Sequence, residues 1–346
     1  MTQSRYRGVG HGSMHGVRIA GSGVALPERR LTNADLEAMM DTSDEWITQR
    51  TGIRERRMID RENRGECTLT LSVNAVQTAL KSASIRAKDV ELVVLATMTP
   101  EMPCPQTSSR VVDLIGATPA GGWDLTAACC GFVFGLNSAA AMIHAGMYKT
   151  IALIGADTLT KHMEYNDHGR ASAILFGDGA GAIVLTADTD TSKGVIAQSM
   201  HSDGGQWEHL YIPEHVTDSP DASTPVDPSQ FDKLVMNGRA VFKFAVTTFS
   251  NLIAETLDKA GMNPEDVDHY VCHQSNARIL ESSRERFGLP QEKLHVNIDR
   301  FGNTVAASVP IVYQELVDAG KIHEGQRVMF LGFGGGLTWG SSLWQM

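Results

Sequence analysis

Hydrophobic and polar positions follow the same order twice along the chain. Sliding the sequence by 177 residues sets Leu80, Ala83, Asp89 and Val90 on Leu257, Ala260, Asp266 and Val267 without a gap. The same shift lays IALIG (Ile151–Gly155) on VMFLG (Val328–Gly332). Each half reads as an amphipathic helix, a D-V-x-x-x-V strand (Asp89–Leu95; Asp266–Cys272), a helix of small residues and a further apolar strand. Short apolar runs alternating with helical periods predict an α/β chain whose sheets are largely buried. The register then changes. Phe176 of FGDGAGAIVL matches Phe333 of FGGGLTWGSSLW at a shift of 157, which gives the first half 20 extra residues. Within that insertion, Ala156–Ser172 is expected to meet a ligand or a second subunit through Met163, Tyr165, Asn166, Asp167 and Arg170. Residues 203–233, rich in Pro, Asp and Ser, read as a loop excursion between the halves. The expected division is 1–16 as a flexible extension, 17–190 as the first half and 191–346 as the second, with a site where the halves meet.

Composition narrows the class. Over 346 residues, 30 Lys+Arg against 40 Asp+Glu give a net charge of −10, and 42% of side chains are hydrophobic. A disordered chain holds fewer apolar residues, and a sequence-tolerant nucleic-acid binder needs a basic surface. Cys67, Cys104, Cys129, Cys130 and Cys272 form an odd set with no CxxC and no metal spacing, which predicts a reduced, cytoplasmic chain without a metal. The apolar run Ala127–Gly146 is long enough to span a membrane but carries Asn137, Ser138 and His144, so a buried core helix is expected instead. The first sixteen residues lack the apolar region of a secretory signal.

Four constellations can carry chemistry. In DLTAACCGFVFGL a strand end and a turn lead into a helix opening near Cys129, where backbone N–H groups and the helix dipole favour a thiolate. A small core cysteine fits the same place, and Cys130 points about 100° away from its neighbour on a helix. In VCHQSNARI, His273 ends a buried strand and can face the junction or serve as a hydrogen-bonded core residue. In NIDRFGNTVAAS, Gly302 permits a tight turn and Asn303 opens a helix, as an amide donor or a plain cap. FLGFGGGLTWG brings Gly334, Gly335 and Gly336, whose N–H groups can approach a ligand closely. FGDGAGA matches G-x-G-x-x-A, but a strand-like IVL follows it, which argues against a dinucleotide loop. Nucleophile, proton partner, amide donor and oxyanion loop are the parts that acyl transfer requires. Cysteine hydrolases of thioesters use the same residue types.

Five segments, in order, carry a family resemblance. DTSDEWITQRTGIRERR (Asp41–Arg57), AACCGF (Ala127–Phe132), HQSNARI (His273–Ile279), FGNTVAAS (Phe301–Ser308) and GFGGGLTWGSS (Gly332–Ser342) together resemble beta-ketoacyl-[acyl-carrier-protein] synthase III. The resemblance implies a thiolase-like fold, duplicated α/β halves in five αβαβα layers, in a homodimer. It implies an acyltransferase that starts fatty acid biosynthesis by decarboxylative condensation of an acyl-CoA primer with malonyl-acyl carrier protein. A coenzyme A thioester is then a substrate and no cofactor is needed. Cys129, His273 and Asn303 become the catalytic set, with the N–H groups of Cys129 and Gly335 as the oxyanion hole. Trp46 and Arg170 would sandwich the coenzyme A adenine, with Arg50 near its phosphates. Gln274, Ser275, Asn276, Ala277, Arg278 and Lys243 would meet the carrier protein, and Met102 (from the partner subunit) and Phe176 would shape the acyl pocket. Two departures stand out: Cys130 follows the nucleophile in place of Ala or Ser, and Glu285 replaces a basic residue. A relative that passes acyl groups or takes an unusual primer in secondary metabolism is the nearest alternative. Because carrier protein and coenzyme A are both anionic, an acidic chain needs a local basic island built from Arg50, Arg170, Lys243 and Arg278.

Overall fold

The computed structural model describes residues 14–346 apart from 61, 63, 64 and 222, so the expectation for the first thirteen residues lies outside the described chain. A first sheet contains β1 (Gly16–Ala25), β2 (Leu92–Ala96), β3 (Gly121–Leu125), β4 (Thr150–Asp157) and β5 (Gly179–Asp188), in the order β1-β5-β4-β2-β3. A second holds β6 (Gly194–Ser202), β7 (His269–Cys272), β8 (Arg327–Gly334) and β9 (Thr338–Gln345), in the order β7-β8-β9-β6. The chain passes from one sheet to the other between Asp188 and Gly194.

Sequence decides which helix lies in which layer. Helix α1 (Thr68–Ala83) buries Leu71, Ala75, Val76, Ala79 and Leu80 at helical spacing, so one face packs on the first sheet and the other stays wet. With α2 (Thr107–Leu114) it forms one outer layer. Helix α4 (Gly238–Ala260) and α5 (Ala277–Arg286) likewise cover the outer side of the second sheet. By contrast α3 (Gly131–His144) buries residues on most of its faces, and α6 (Ser308–Asp318) buries Ser308 to Tyr313 continuously. Both lie between the sheets, in a core where Phe132, Leu136, Val312 and Leu316 meet residues of both. The result is the expected five-layered αβαβα order. No described helix is long and apolar enough to cross a membrane, and the run at Ala127–Gly146 becomes the central helix α3.

The repeat is structural. Leu92 pairs with Ile151 in the first sheet and His269 with Val328 in the second, both at the shift of 177. After the fourth strand the sequence match is corrected by two residues. Asp157 pairs with Gly179 and its counterpart Gly334 pairs with Thr338, so the shift there is 159 and the insertion is two residues shorter than the sequence suggested. Matching Phe176 to Phe333 favoured similar residues, whereas strand register follows the ladder. FGDGAGA leads straight into β5, with no helix after it. Strand β3 has no counterpart among the described residues beyond a lone Tyr270–Leu294 bridge.

The halves meet through two matching turns. Ala128 (φ 48°) and Val305 (φ 53°), 177 residues apart, are both left-handed, a conformation unfavourable for any side chain and worst for a β-branched one. Each turn enters a central helix. Buried Asp157 ties them together. Its carboxylate accepts from Met98 N (2.7 Å) and the Thr97 and Thr99 hydroxyls (3.2 Å each) in its own half, and from Ala306 N (3.1 Å) in the other. Gly155 lets the backbones approach, since a Cβ there would lie 2.3 Å from Ala306 O. Gly155→Ala is therefore expected to cost about 1–3 kcal/mol or more in urea unfolding. Gly204→Ala, with nothing within 4 Å, should leave the midpoint unchanged.

Candidate active site

Cys129 sits in a single 3-10 turn, Ala128–Cys130, directly ahead of α3. The strand-to-helix turn at Ala128 sets its side chain in the cluster with Leu159, Met163, Phe176 and Val305, whereas Cys130 points the other way into the central core. Cys130 Sγ lies 3.4 Å from Gly332 O, so it packs and does not share the Cys129 environment. The helix end favours a thiolate, and burial works against it in the resting protein. Burial, then the neighbouring Asp157 carboxylate, push the Cys129 thiol up, and its own N–H only partly opposes them. Asp157 itself is pushed up to about 6 by burial.

His273 follows β7 and is 1% exposed. Burial pushes it down to about 3, so it rests neutral. Its ring stands edge-on to Phe333 at 5.3 Å, and Nδ1 lies 2.6 Å from Ser308 Oγ. Asn303 is clamped by a parallel bridge to Phe176: its N–H donates to Leu175 O (2.8 Å) and its carbonyl accepts from Gly177 N (2.9 Å). Its Oδ1 accepts from Val305 N at 2.9 Å. Thr304, not Asn303, holds the N-cap position of the turn that follows, while Asn303 closes the approach to it through Oδ1 and Nδ2 stays available to donate. Cys129, His273 and Asn303 all line one narrow cavity of about 90 Å³, walled also by Phe176, Phe242 and Leu210.

The Gly-rich loop closes the site from the second half. Gly334 lines the cavity, and a Cβ on it would fall 2.7 Å from Cys129 N. Gly335, the expected oxyanion donor, follows directly. The counterpart of Gly334 is Asp157, and the counterpart of Cys129 is Ala306. Where Asp157 takes the Ala306 N–H, Gly334 brings no side chain to Cys129 N.

The coenzyme and carrier residues divide. Trp46 is 37% exposed, with the Arg170 guanidinium 5.5 Å and Arg50 5.8 Å from its ring centroid. Arg170 also donates to Asp41 O. At that spacing the guanidinium rests on the indole itself, so a base enters between them only by displacing it. Gln274 is corrected. It is fully buried, bonding Cys272 O, His295 O and Asn297 N, and has no surface to offer a carrier protein. A glutamine spanning three backbone groups satisfies a buried loop, and sequence alone does not distinguish that from an exposed contact. Asn276 caps α5 and donates to Arg50 O at 3.0 Å, and Ala277 packs against Gly52. The Ser275 hydroxyl has no partner among the described residues although Ser275 lines the cavity. Arg278 is exposed and lies over Phe242 at 5.5 Å, beside exposed Lys243. Arg50, Arg170, Arg278 and Lys243 therefore follow one rim, through Trp46, Asn276 and Phe242. Nearby Glu281 is bound by Arg284 at 2.8 Å. Phe176 lines the cavity as expected, whereas Met102 is 40% exposed and outside the cavity of its own chain.

Sequence reasoning missed Leu210 and Met236. The excursion between the halves folds over the site as a two-stranded ribbon, Leu210–Tyr211 with Val235–Met236, and lends both side chains to the cavity. Isolated apolar residues in a Pro-rich loop carry no periodicity to mark them.

Duplicated α/β halves in this layering, with a cysteine on the turn into the first central helix, define condensing acyltransferases of the thiolase-like fold. Family models described as 3-oxoacyl-[acyl-carrier-protein] synthase III and its C-terminal part match residues 123–204 and 257–346. A relative from Bacillus anthracis, beta-ketoacyl-[acyl-carrier-protein] synthase III 1, is 44% identical and covers 94% of this chain and 97% of its own. The solved Thermus thermophilus beta-ketoacyl-[acyl-carrier-protein] synthase III superposes with a TM-score of 0.88 at 40% identity, covering 95% of this chain and 98% of the other. The priming beta-ketosynthase of the R1128 polyketide pathway gives 0.86 at 32% identity, over 96% and 97%. The chain belongs to the beta-ketoacyl-[acyl-carrier-protein] synthase III family.

Gly334→Ala would place a methyl group against the Cys129 N–H. Intact-mass kinetics should show acylation of Cys129 slowed on the order of 10²-fold or more, the usual cost of losing an oxyanion donor.

Proposed function

We propose that the chain condenses an acyl-CoA primer with malonyl-acyl carrier protein, using Cys129 as the acyl carrier and His273 with Asn303 as the decarboxylating pair. One observation carries the residue roles. Three side chains from the two halves line the same narrow cavity, and the protein-facing atoms Asn303 Oδ1 and His273 Nδ1 are already engaged. In the first half reaction Cys129 sulfur attacks the thioester carbon, the oxyanion meets the N–H groups of Cys129 and Gly335, and coenzyme A leaves. In the second, malonyl-carrier protein loses carbon dioxide. Asn303 Nδ2 and His273 Nε2 then hold the thioester oxygen as enolate charge develops, and the carbanion attacks the acyl group on Cys129.

Carbon dioxide loss drives the step, so this reading needs no metal or redox cofactor, and a cytoplasmic location fits the free cysteines. The basic rim supports entry of coenzyme A and of the carrier protein past Arg278 and Lys243. We read the assembly as a homodimer joined along β3, an edge strand with half-buried residues throughout. Exposed Leu114 and Met102 would then be covered by the second subunit. The pathway served depends on the primer, because a similar structure belongs to a polyketide pathway.

Cys129→Ser should take no acyl label in intact-mass experiments. Asn303→Ala should accept the acyl group yet lose on the order of 10²–10³-fold in condensation with malonyl-carrier protein, and normal condensation by this variant would sink the assigned roles. Arg278→Glu should raise KM for malonyl-carrier protein several-fold while KM for acyl-CoA stays the same.

A further inference from the structure

A second cavity, of about 290 Å³, lies between β1 and the end of α6. It shares no lining residue with the cavity at Cys129. Helix α6 runs from one to the other: Ser308 at its start meets His273, and Val317, about 13 Å further along the axis, lines the second cavity.

Glycines set the direction of the β1 side chains here. A Cβ on Gly21 would lie 2.6 Å from Ala79 O, and one on Gly23 would lie 2.5 Å from Ala75 O, so both positions face α1. Side chains alternate along a strand, and Ser22 therefore points the other way, to the central layer where α6 carries Tyr313. Ser22 and Tyr313 are each 3% exposed and both line the cavity, and neither hydroxyl bonds another described residue. Buried hydroxyls are rarely left this way, so their partner is to be sought in the cavity itself. Beside them the floor is apolar, formed by Ile19, Val317 and Ile322, which also pack on the central core. Charge at the rim is already answered: Arg18 faces Asp188 at 3.7 Å and Lys193 holds Glu324 at 2.5 Å. An ionic ligand would have to break one of these pairs.

We propose that this cavity binds a small uncharged amphiphile, an apolar body bearing one hydroxyl or amide head. The head lies between Ser22 and Tyr313, and the body covers Ile19, Val317 and Ile322. Each protein hydroxyl donates or accepts, so one head that does both closes the pair. The volume is close to the lower end of ordinary small-molecule sites, about 300 Å³. Water satisfies hydroxyls equally well but gains nothing along the floor, whereas a ligand removes that apolar surface from water. Because the two cavities are separate, this ligand does not compete with acyl-CoA, and the site is independent of the function proposed above.

Benzyl alcohol is the probe. Titrated into the full chain with ¹³C-methyl-labelled isoleucine, it should give saturable shifts at Ile19 and Ile322, assigned by their loss in Ile19→Val and Ile322→Val, with Kd on the order of 1–10 mM. Toluene, which lacks the head, and benzoate, which adds a charge, should each bind at least about threefold more weakly. Tyr313→Phe should weaken benzyl alcohol by a similar factor. Val317→Trp, which fills the floor, should abolish the shifts while Cys129 is still acylated from acetyl-CoA, and saturating acetyl-CoA should leave the titration of the unaltered protein unchanged. No saturable shift at either isoleucine, equal binding of toluene, tighter binding of benzoate, unchanged affinity in Tyr313→Phe or competition by acetyl-CoA would overturn the proposal. Absence of β-ketoacyl product would bear on the function reading alone.

Discussion

Everything at the centre of the molecule depends on the chain turning from a sheet into a central helix through one left-handed residue. This happens twice, at Ala128 and Val305, and the two turns face each other across the junction of the halves. Strain of this kind persists only where surrounding contacts over-determine it. Here Asp157 supplies much of that restraint, holding the loop at residues 97–99 of one half and Ala306 N of the other with a single carboxylate. The turns carry function as well as architecture. One presents Cys129, and the other is braced by Asn303 through Val305 N.

The duplicated scaffold is most informative where its symmetry fails. At the shift of 177, Cys129 corresponds to Ala306, Asn303 to Thr126, His273 to Ala96, Ser308 to Gly131 and Gly334 to Asp157. Each pair keeps its backbone place and differs in chemistry. One half buries a carboxylate where the other has a glycine, so Asp157 takes one turn N–H and no Gly334 side chain meets the equivalent one. A single cavity thus lies where two repeated halves meet, and the proposed catalytic set is drawn from both.

The sequence disclosed the repeat, the buried strands and central helix, and the residues Cys129, His273 and Asn303 that line the cavity, because each leaves a local mark. Buried strands are continuous apolar runs, the central helix α3 is apolar on most faces, and the reactive residues sit beside glycines that allow tight turns. What it concealed depends on long-range packing. Gln274 stands in a segment that resembles a docking surface, yet three backbone partners hold it inside. Leu210 reaches the cavity from a loop without periodicity. The two-residue error in the second repeat match arose from pairing like residues, Phe176 with Phe333, when ladder register was the true constraint. The opposing pull on the Cys129 thiol was hidden for a similar reason: a helix end is visible in sequence, whereas the burial that pushes the thiol up is not.

That desolvation explains how an acidic protein handles anionic substrates. At the surface, charge is local: the net charge is −10, yet Arg50, Arg170, Lys243 and Arg278 follow one rim, and screening confines repulsion from the remainder to about 8 Å. Inside, the same low dielectric holds Cys129 protonated and His273 neutral, so the resting cavity contains few ions to attract water or to react with wrong partners. In the proposed reaction, charge appears where a bound thioester meets donors already in place. An N–H group such as that of Cys129, with no side chain from Gly334 against it, costs little reorganisation at that moment, and in a closed cavity its effect is larger than in water. In the proposed reaction, the burial that pushes the resting thiol up is therefore also the condition that would make the oxyanion and enolate sites effective.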